Sequence, residues 1–147
     1  MQSKKIIVAL DSNNFSEIEK LVKSLKKEVY AFKIGYQFFF NFGLIGYKKI
    51  YSICPKIFLD LKLHDIPNTV ENGLEALNKI KPILTTIHVS GGDEMMKSSV
   101  KNKKFTKILG VSILTSMDTK QTKKFYNQKN LFFLVKKFAK FAKKNGL

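Results

Sequence analysis

The sequence predicts an α/β fold with a parallel sheet, because short apolar runs alternate with amphipathic segments along its 147 residues. The first run, KIIVAL at residues 5–10, is rich in β-branched residues and is typical of a strand that is buried on both faces. A surface helix is predicted over residues 15–25, where apolar side chains recur at helical spacing between charged ones. Strands that alternate with helices imply right-handed crossovers and a parallel sheet.

The same alternation continues to the end of the sequence. The further predicted elements, in chain order, are a strand at 29–34, an aromatic-rich helix at 36–53, a strand at 57–61, a helix with an apolar stripe over 70–80, strands at 83–89 and 107–114, and a helix at 131–144. Five βα units are therefore expected.

The turn after the first strand decides between two parallel-sheet architectures. An open doubly wound sheet usually has a glycine-rich phosphate loop at this position, whereas residues 11–14 read Asp-Ser-Asn-Asn. We therefore predict a (β/α)8 barrel of the TIM type, which needs at least about 200 residues when complete. Residues 1–147 are expected to form a single, incomplete barrel domain with strands six to eight missing, because Asn145 and Gly146 read as a helix cap that would lead into a sixth strand.

Composition narrows the functional classes. The formal net charge is +16, from 27 basic and 11 acidic residues, but every basic residue is a lysine. Sequence-specific nucleic-acid recognition usually relies on arginine, so a basic nucleic-acid-binding domain is a weak alternative that only the charge supports. The apolar runs are too short for a membrane span or a secretory signal, so a cytoplasmic protein with no membrane partner is expected. The lone cysteine, Cys54, is expected to be a buried structural thiol.

Charged and polar residues cluster at the predicted strand ends, which form the active-site face of a parallel barrel. Side chains alternate along a strand, so Asp60 and Lys62 are expected to share one face, with Lys33, Asp65 and Asp11 as possible partners. One interpretation is a buried ion-pair network that only holds the strand ends together. The convergence of several ionisable groups on one barrel mouth favours a functional site.

One segment resembles a known family. Asp60-Leu-Lys62-Leu-His-Asp65-Ile-Pro-Asn-Thr69 is similar to the signature of orotidine 5′-phosphate decarboxylase. Four further matches follow the family's order along the chain: Val8-Ala-Leu-Asp11, Phe32-Lys-Ile-Gly35, His88-Val-Ser-Gly-Gly92 and Leu114-Thr-Ser-Met117. Five ordered matches are more specific than the Asp-x-Lys-x-x-Asp motif alone.

The resemblance implies a cofactor-free decarboxylation of orotidine 5′-monophosphate to uridine 5′-monophosphate and carbon dioxide, in de novo pyrimidine biosynthesis. It implies that Lys62 donates a proton to carbon six of the pyrimidine and that Asp60 lies near the departing carboxylate. It also implies that Lys33 and Asp65 complete a catalytic array of alternating charge.

The resemblance also assigns substrate-binding residues. Asp11 would accept hydrogen bonds from ribose hydroxyls, and Thr115 would contact the pyrimidine ring. Asp65 and Thr69 would reach the site of a neighbouring subunit, which implies a homodimer. The full expected substrate-binding set is Asp11, Lys33, Asp60, Lys62, Asp65, Ile66, Thr69 and Thr115.

Two further alternatives bear on activity. Magnesium-dependent sugar-phosphate decarboxylases and aldolases of the same barrel type share Asp-x-Lys-x-x-Asp, but they carry an acidic metal ligand where this chain has Lys33, and a lysine would repel Mg²⁺. No zinc-type spacing is present, and His64 and His88 are interpreted as structural. The family's phosphate-binding glutamine and arginine belong to the part that is missing here, so the 147-residue fragment is expected to be inactive by itself.

Overall fold

The computed structural model describes residues 5–101 and 103–147. Its strands are β1 (Ile7–Ala9), β2 (Ala31–Ile34), β3 (Ile57–Leu63), β4 (Leu84–His88) and β5 (Lys107–Val111). Its helices are α1 (Phe15–Leu25), α2 (Tyr36–Ile53), α3 (Pro67–Leu77), α4 (Gly92–Lys101), α5 (Thr119–Tyr126) and α6 (Leu131–Lys144), with a 3₁₀ turn at Val89–Gly91.

The five strands form one sheet in the order β1-β2-β3-β4-β5. The β1–β2 and β2–β3 pairs are parallel, with Ile7 opposite Ala31 and Phe32 opposite Ile57. The strand order follows the chain order without reversal, as it does in barrels, whereas the order of doubly wound sheets reverses at a switch point. The structure thus confirms the α/β class with five parallel strands that alternate with helices.

Contacts divide the chain into two compact units, and the first comprises the chain up to residue 61 with residues 76–85 and 104–107. Its core is made by side chains from β2, β3 and the inner faces of α1 and α2, all almost fully buried: Phe32, Ile34, Ile57, Leu59, Ile18, Val22, Phe38, Tyr47 and Ile50. Helix α1 begins at an Asn14 cap, whose side-chain oxygen accepts hydrogen bonds from two main-chain amides of the first turn. Cys54 is also buried, as expected.

The second unit comprises residues 62–75, 86–103 and 108–147. The inner faces of α3, α4 and α6 supply its buried apolar side chains: Val70, Leu74, Met95, Met96, Leu134 and Phe138. Gly110 on β5 allows a close approach, because a Cβ atom there would lie 2.8 Å from a methyl carbon of Val89 and 3.2 Å from the Cβ of Ala142. A larger residue at position 110 would force these neighbours apart.

Several boundaries differ from the sequence prediction. Helices α4 and α5 were not predicted, because neither segment has an apolar stripe: the buried apolar residues of α4 are the adjacent Met95 and Met96, and the only buried side chain of α5 is Thr122. Strand β5 ends at Val111 instead of Leu114, and α2 has a kink at Gly43, where φ is +55°. No helix among the described residues is long and apolar enough to cross a membrane. The single-domain interpretation stays a prediction.

Candidate active site

A lysine near the end of β2 lies close to two carboxylates, one just after β1 and one in the middle of β3. The Lys33 Nζ is 3.7 Å from an Asp11 carboxylate oxygen and 3.8 Å from an Asp60 carboxylate oxygen. We call these three residues, all in the first unit, the Lys33 cluster. Lys33 pairs with Asp60 of the third strand, as expected, whereas Asp11 pairs, among the described residues, with Lys33 and not with a charge on that strand.

The backbone around the Lys33 cluster fixes where its charges lie. The main-chain N–H of Leu10 donates to the Lys33 carbonyl at 2.9 Å, which ties the end of β1 to β2 just before Asp11. Gly35 leaves room for the ammonium group, because a Cβ atom there would lie 3.2 Å from the Lys33 Nζ and 3.6 Å from an Asp11 oxygen. The absence of a side chain at residue 35 therefore keeps the space around the ammonium open.

Side-chain hydroxyls hold β3 on either side of Asp60. The Thr85 hydroxyl donates to the Leu59 carbonyl at 2.9 Å, and the Tyr36 hydroxyl donates to the Leu61 carbonyl at 2.7 Å. Both carbonyls belong to residues next to Asp60. The position of the Asp60 carboxylate is thus set by a strand that is hydrogen-bonded through side chains as well as along its backbone ladder.

Burial separates the two carboxylates of the Lys33 cluster. The Asp60 side chain is 10% exposed, whereas that of Asp11 is 50% exposed and that of Lys33 is 24% exposed. A carboxylate that is removed from water needs a nearby cation or hydrogen-bond donors to stay charged. The cluster therefore presents one buried and one accessible carboxylate close to a partly buried ammonium group.

Lys62, at the end of β3, belongs to the second unit. Its φ is +44°, which lies in the left-handed region and not in the extended region that the rest of a strand adopts. The period-two alternation that we applied to Lys62 therefore does not hold for its backbone. The main-chain N–H of Lys62 donates to the Thr86 hydroxyl oxygen on β4 at 2.9 Å. Thr86 lies outside all of the sequence motifs that indicate site residues.

Asp65, Ile66 and Thr69 lie at the start of α3 and are all solvent-exposed. An Asp65 carboxylate oxygen accepts a hydrogen bond from the Ile66 amide at 2.7 Å. The Ile66 carbonyl in turn accepts from the Thr69 amide at 3.1 Å and from the Val70 amide at 3.2 Å, which begins the helix. These three predicted site residues therefore form one exposed turn, whose side chains are accessible to a ligand or to another subunit.

The remaining polar residues of the motifs also lie in the second unit. Thr115 is exposed in a turn that the hydrogen bond from the Met117 amide to the Leu114 carbonyl closes at 2.9 Å. The rings of His64 and His88 lie 5.2 Å apart at an angle of 34°. The structural interpretation of the two histidines stays a prediction.

Two observations concern other kinds of site. Among residues 5–101 and 103–147, no group of three or more His, Cys, Asp or Glu side chains is placed to hold a metal ion. A cavity of about 280 Å³ lies along α6 and contains none of the predicted site residues; its lining consists of Phe133, Lys136, Lys137, Lys140 and Phe141. All five lining residues belong to α6, so the cavity is a groove on the surface of that helix and contains no residue of the Lys33 cluster.

Comparison with known proteins identifies the family. A family model described as orotidine 5′-phosphate decarboxylase / HUMPS matches residues 4–147. The chain belongs to this family. The match covers all five segments on which the resemblance was based.

Relatives with known names agree with this assignment. The orotidine 5′-phosphate decarboxylase of Wolbachia sp. subsp. Brugia malayi is 39% identical over 145 residues, which cover 97% of this chain and 64% of that protein. The corresponding protein of Ehrlichia chaffeensis is 39% identical over 144 residues, with coverage of 97% and 62%. The chain therefore spans less than two thirds of the length of these relatives.

A solved structure of the same family has the same fold as this chain. The crystal structure of orotidine 5′-phosphate decarboxylase from Lactobacillus acidophilus superimposes with a TM-score of 0.85 at 36% sequence identity. The superposition covers 98% of this chain and 69% of that one. The strand and helix order of the chain is thus that of a decarboxylase of this family over the region that they share.

Proposed function

We propose that this chain is the amino-terminal, catalytic part of an orotidine 5′-monophosphate decarboxylase that works without a cofactor. The Lys33 cluster carries the proposal, because its ammonium group is 3.7 and 3.8 Å from two carboxylates, one just after β1 and one on β3. The family to which the chain belongs and its Asp60 to Thr69 motif indicate the reaction.

In the proposed reaction, the bond between carbon six and the carboxylate breaks, and its electron pair stays on carbon six as carbon dioxide leaves. The Lys62 ammonium then donates its proton to carbon six and regains one from water. Asp60 lies near the substrate carboxylate, so their repulsion is relieved when the neutral product departs. An ammonium group beside the developing carbanion stabilises it electrostatically.

The other predicted residues receive binding roles in this proposal. Asp11 is half exposed and accepts hydrogen bonds from the ribose hydroxyls, while Lys33 holds Asp11 and Asp60 at fixed positions. The exposed turn at Asp65 and Thr69 contacts the site of a second copy in a homodimer. Ile66 and Thr115 bind the substrate. Light scattering of the purified protein would test the dimer, and cell fractionation would test a cytoplasmic location.

The alternative is a magnesium-dependent reaction on a sugar phosphate, which the combined description of the family model keeps open. Mg²⁺ prefers a site of oxygen ligands with net negative charge. In the Lys33 cluster an ammonium group already lies between the two carboxylates, which opposes a divalent cation there. Decarboxylation that is insensitive to a chelator is therefore expected.

The experiment compares the chain alone with the chain fused to the carboxyl-terminal region of the Wolbachia relative that lies beyond the matched residues. Conversion of orotidine monophosphate to uridine monophosphate is followed by chromatography, with and without a chelator. The chain alone is expected to show negligible turnover, since it contains no arginine to bind the substrate phosphate. The fusion is expected to be active with the chelator present.

The matched control is Lys62→Ala in the fusion, for which we expect a fall of about 10²–10⁴-fold in kcat because the proton donor is lost. A folded fusion that binds uridine monophosphate but does not decarboxylate the substrate would contradict the proposal. So would activity that disappears with the chelator, or robust turnover by the 147-residue chain alone.

A further inference from the structure

The backbone of Lys62 adopts a conformation that is uncommon for its residue type. Its φ of +44° lies in the left-handed region, which disfavours a side chain with a Cβ atom unless surrounding contacts hold it. The same angle sets the direction in which the Cα–Cβ bond leaves the chain. Contacts that hold the Lys62 backbone therefore also determine where its side chain begins.

Thr86 supplies such a contact. Its hydroxyl oxygen accepts a hydrogen bond from the Lys62 main-chain N–H at 2.9 Å. Thr86 is only 4% exposed, so water does not readily replace this acceptor. A β-branched side chain also has few rotamers, which keeps the hydroxyl in place.

We infer that Thr86 is a positioning residue for Lys62: its hydroxyl holds the Lys62 backbone in the left-handed conformation and thereby aims the ammonium group. A lysine stem has many rotamers, and a fixed starting direction narrows the region that its ammonium reaches. The catalytic consequence rests on the proposed function, in which Lys62 protonates carbon six. Misplacement of a reacting group by about 1 Å can slow a reaction by about 10²-fold.

Nuclear magnetic resonance of the isotopically labelled 147-residue chain tests the inference without any need for turnover. The variants are Thr86→Val, which removes the acceptor at nearly constant shape, and Thr86→Ser, which keeps a hydroxyl. Thr106→Val is the matched control, because Thr106 is another buried threonine and its hydroxyl donates to the Pro82 carbonyl at 2.8 Å. The measurements are amide hydrogen exchange of Lys62, its one-bond Cα–Hα coupling, which reports positive φ, and its Cε and Nζ shifts.

In Thr86→Val we expect Lys62 amide exchange to accelerate about tenfold, because one hydrogen bond is lost. The signature of positive φ should disappear, and the Cε and Nζ resonances of Lys62 should move. Thr86→Ser and Thr106→Val should resemble the unsubstituted chain. An extended φ at Lys62 in the unsubstituted chain would overturn the inference, as would unchanged Lys62 signals in Thr86→Val. The first of these results needs no variant to fold.

The kinetic measurement uses the fusion protein. We expect Thr86→Val to lower kcat by about 10–10²-fold with little change in KM, because the Lys62 ammonium group is misplaced while substrate binding is retained. Thr86→Ser should restore most of the rate, and Thr106→Val should leave it unchanged. A Thr86→Val fusion with unchanged kcat would refute the inference while the proposed function stands. A folded fusion that binds uridine monophosphate but has no activity would refute the proposed function, and the resonance data would still decide the role of Thr86.

Discussion

Replacement of Lys33 by methionine is expected to destabilise the first unit mainly through Asp60 and only weakly through Asp11. The two carboxylates lie at nearly equal distances from the Lys33 Nζ, 3.7 and 3.8 Å, but the Asp60 side chain is 10% exposed and the Asp11 side chain is 50% exposed. At such distances the direct attraction is about 4 kcal/mol for an effective dielectric constant of about 20. The cost of desolvation offsets much of this attraction, so the burial of each carboxylate decides the net coupling energy of its pair.

Double-mutant cycles measure the net coupling energies of the two ion pairs separately. For Lys33→Met combined with Asp60→Asn, we expect a coupling energy of about 1–2 kcal/mol, because both charges are shielded from water. For Lys33→Met combined with Asp11→Asn, we expect about 0–1 kcal/mol, as for other exposed ion pairs. The assay is urea unfolding of the chain followed by circular dichroism at low ionic strength.

Added salt provides the control for these cycles. Salt screens the exposed pair more than the buried one, so the Asp11 coupling should fall further between low and high salt than the Asp60 coupling. Equal couplings for the two carboxylates, or a larger coupling for Asp11, would refute the argument that burial ranks these interactions. Such a result would also weaken the interpretation of Lys33 as the fixed centre of the cluster.

Three further predictions concern the first unit. Tyr47→Phe removes the hydroxyl that donates to the Ile80 carbonyl at 3.0 Å, and thermal unfolding should show a loss of about 0.5–1.5 kcal/mol. Burial raises the pKa of Tyr47 above its ordinary value of 10.0, so the contribution of Tyr47 to stability is full below pH 10 and declines above pH 10. The difference in unfolding free energy between wild type and Tyr47→Phe should therefore shrink above pH 10. A difference that stays constant with pH would contradict this prediction. Asn14→Ala removes the cap of α1 and should cost about 1 kcal/mol in urea unfolding, whereas no change would contradict the capping role. Gly35→Ala should lower kcat of the fusion about tenfold by displacing the Lys33 ammonium, with little change in the urea midpoint; an unchanged kcat would show that the clearance at residue 35 is unimportant.

The sequence was sufficient for elements whose burial is periodic. Helix α1 was predicted with the bounds that the structure has, because its buried residues Ile18 and Val22 belong to a regular apolar stripe. Helix α6 was predicted equally well, for the same reason. Helices α4 and α5 were missed, because the buried apolar residues of α4, Met95 and Met96, are adjacent in the sequence and form no stripe, and α5 buries only Thr122.

The candidate site shows the same division. The proximity of Lys33 to Asp11 and Asp60 follows from the rule that parallel strands end at one edge, so the sequence could predict it. The backbone of Lys62 could not be predicted, because a strand pattern implies extended angles and its φ is positive. The role of Thr86 could not be predicted from neighbouring residues either, because its hydroxyl accepts a hydrogen bond from the Lys62 amide, 24 residues away in the chain.

Release of carbon dioxide from orotidine monophosphate labelled in its carboxylate tests the central claim most directly. The fusion protein should release one labelled carbon dioxide for each uridine monophosphate formed, in the presence of a chelator, and Lys62→Ala should abolish nearly all of this release. A folded fusion that releases no label, or that releases it equally well without Lys62, would contradict the account.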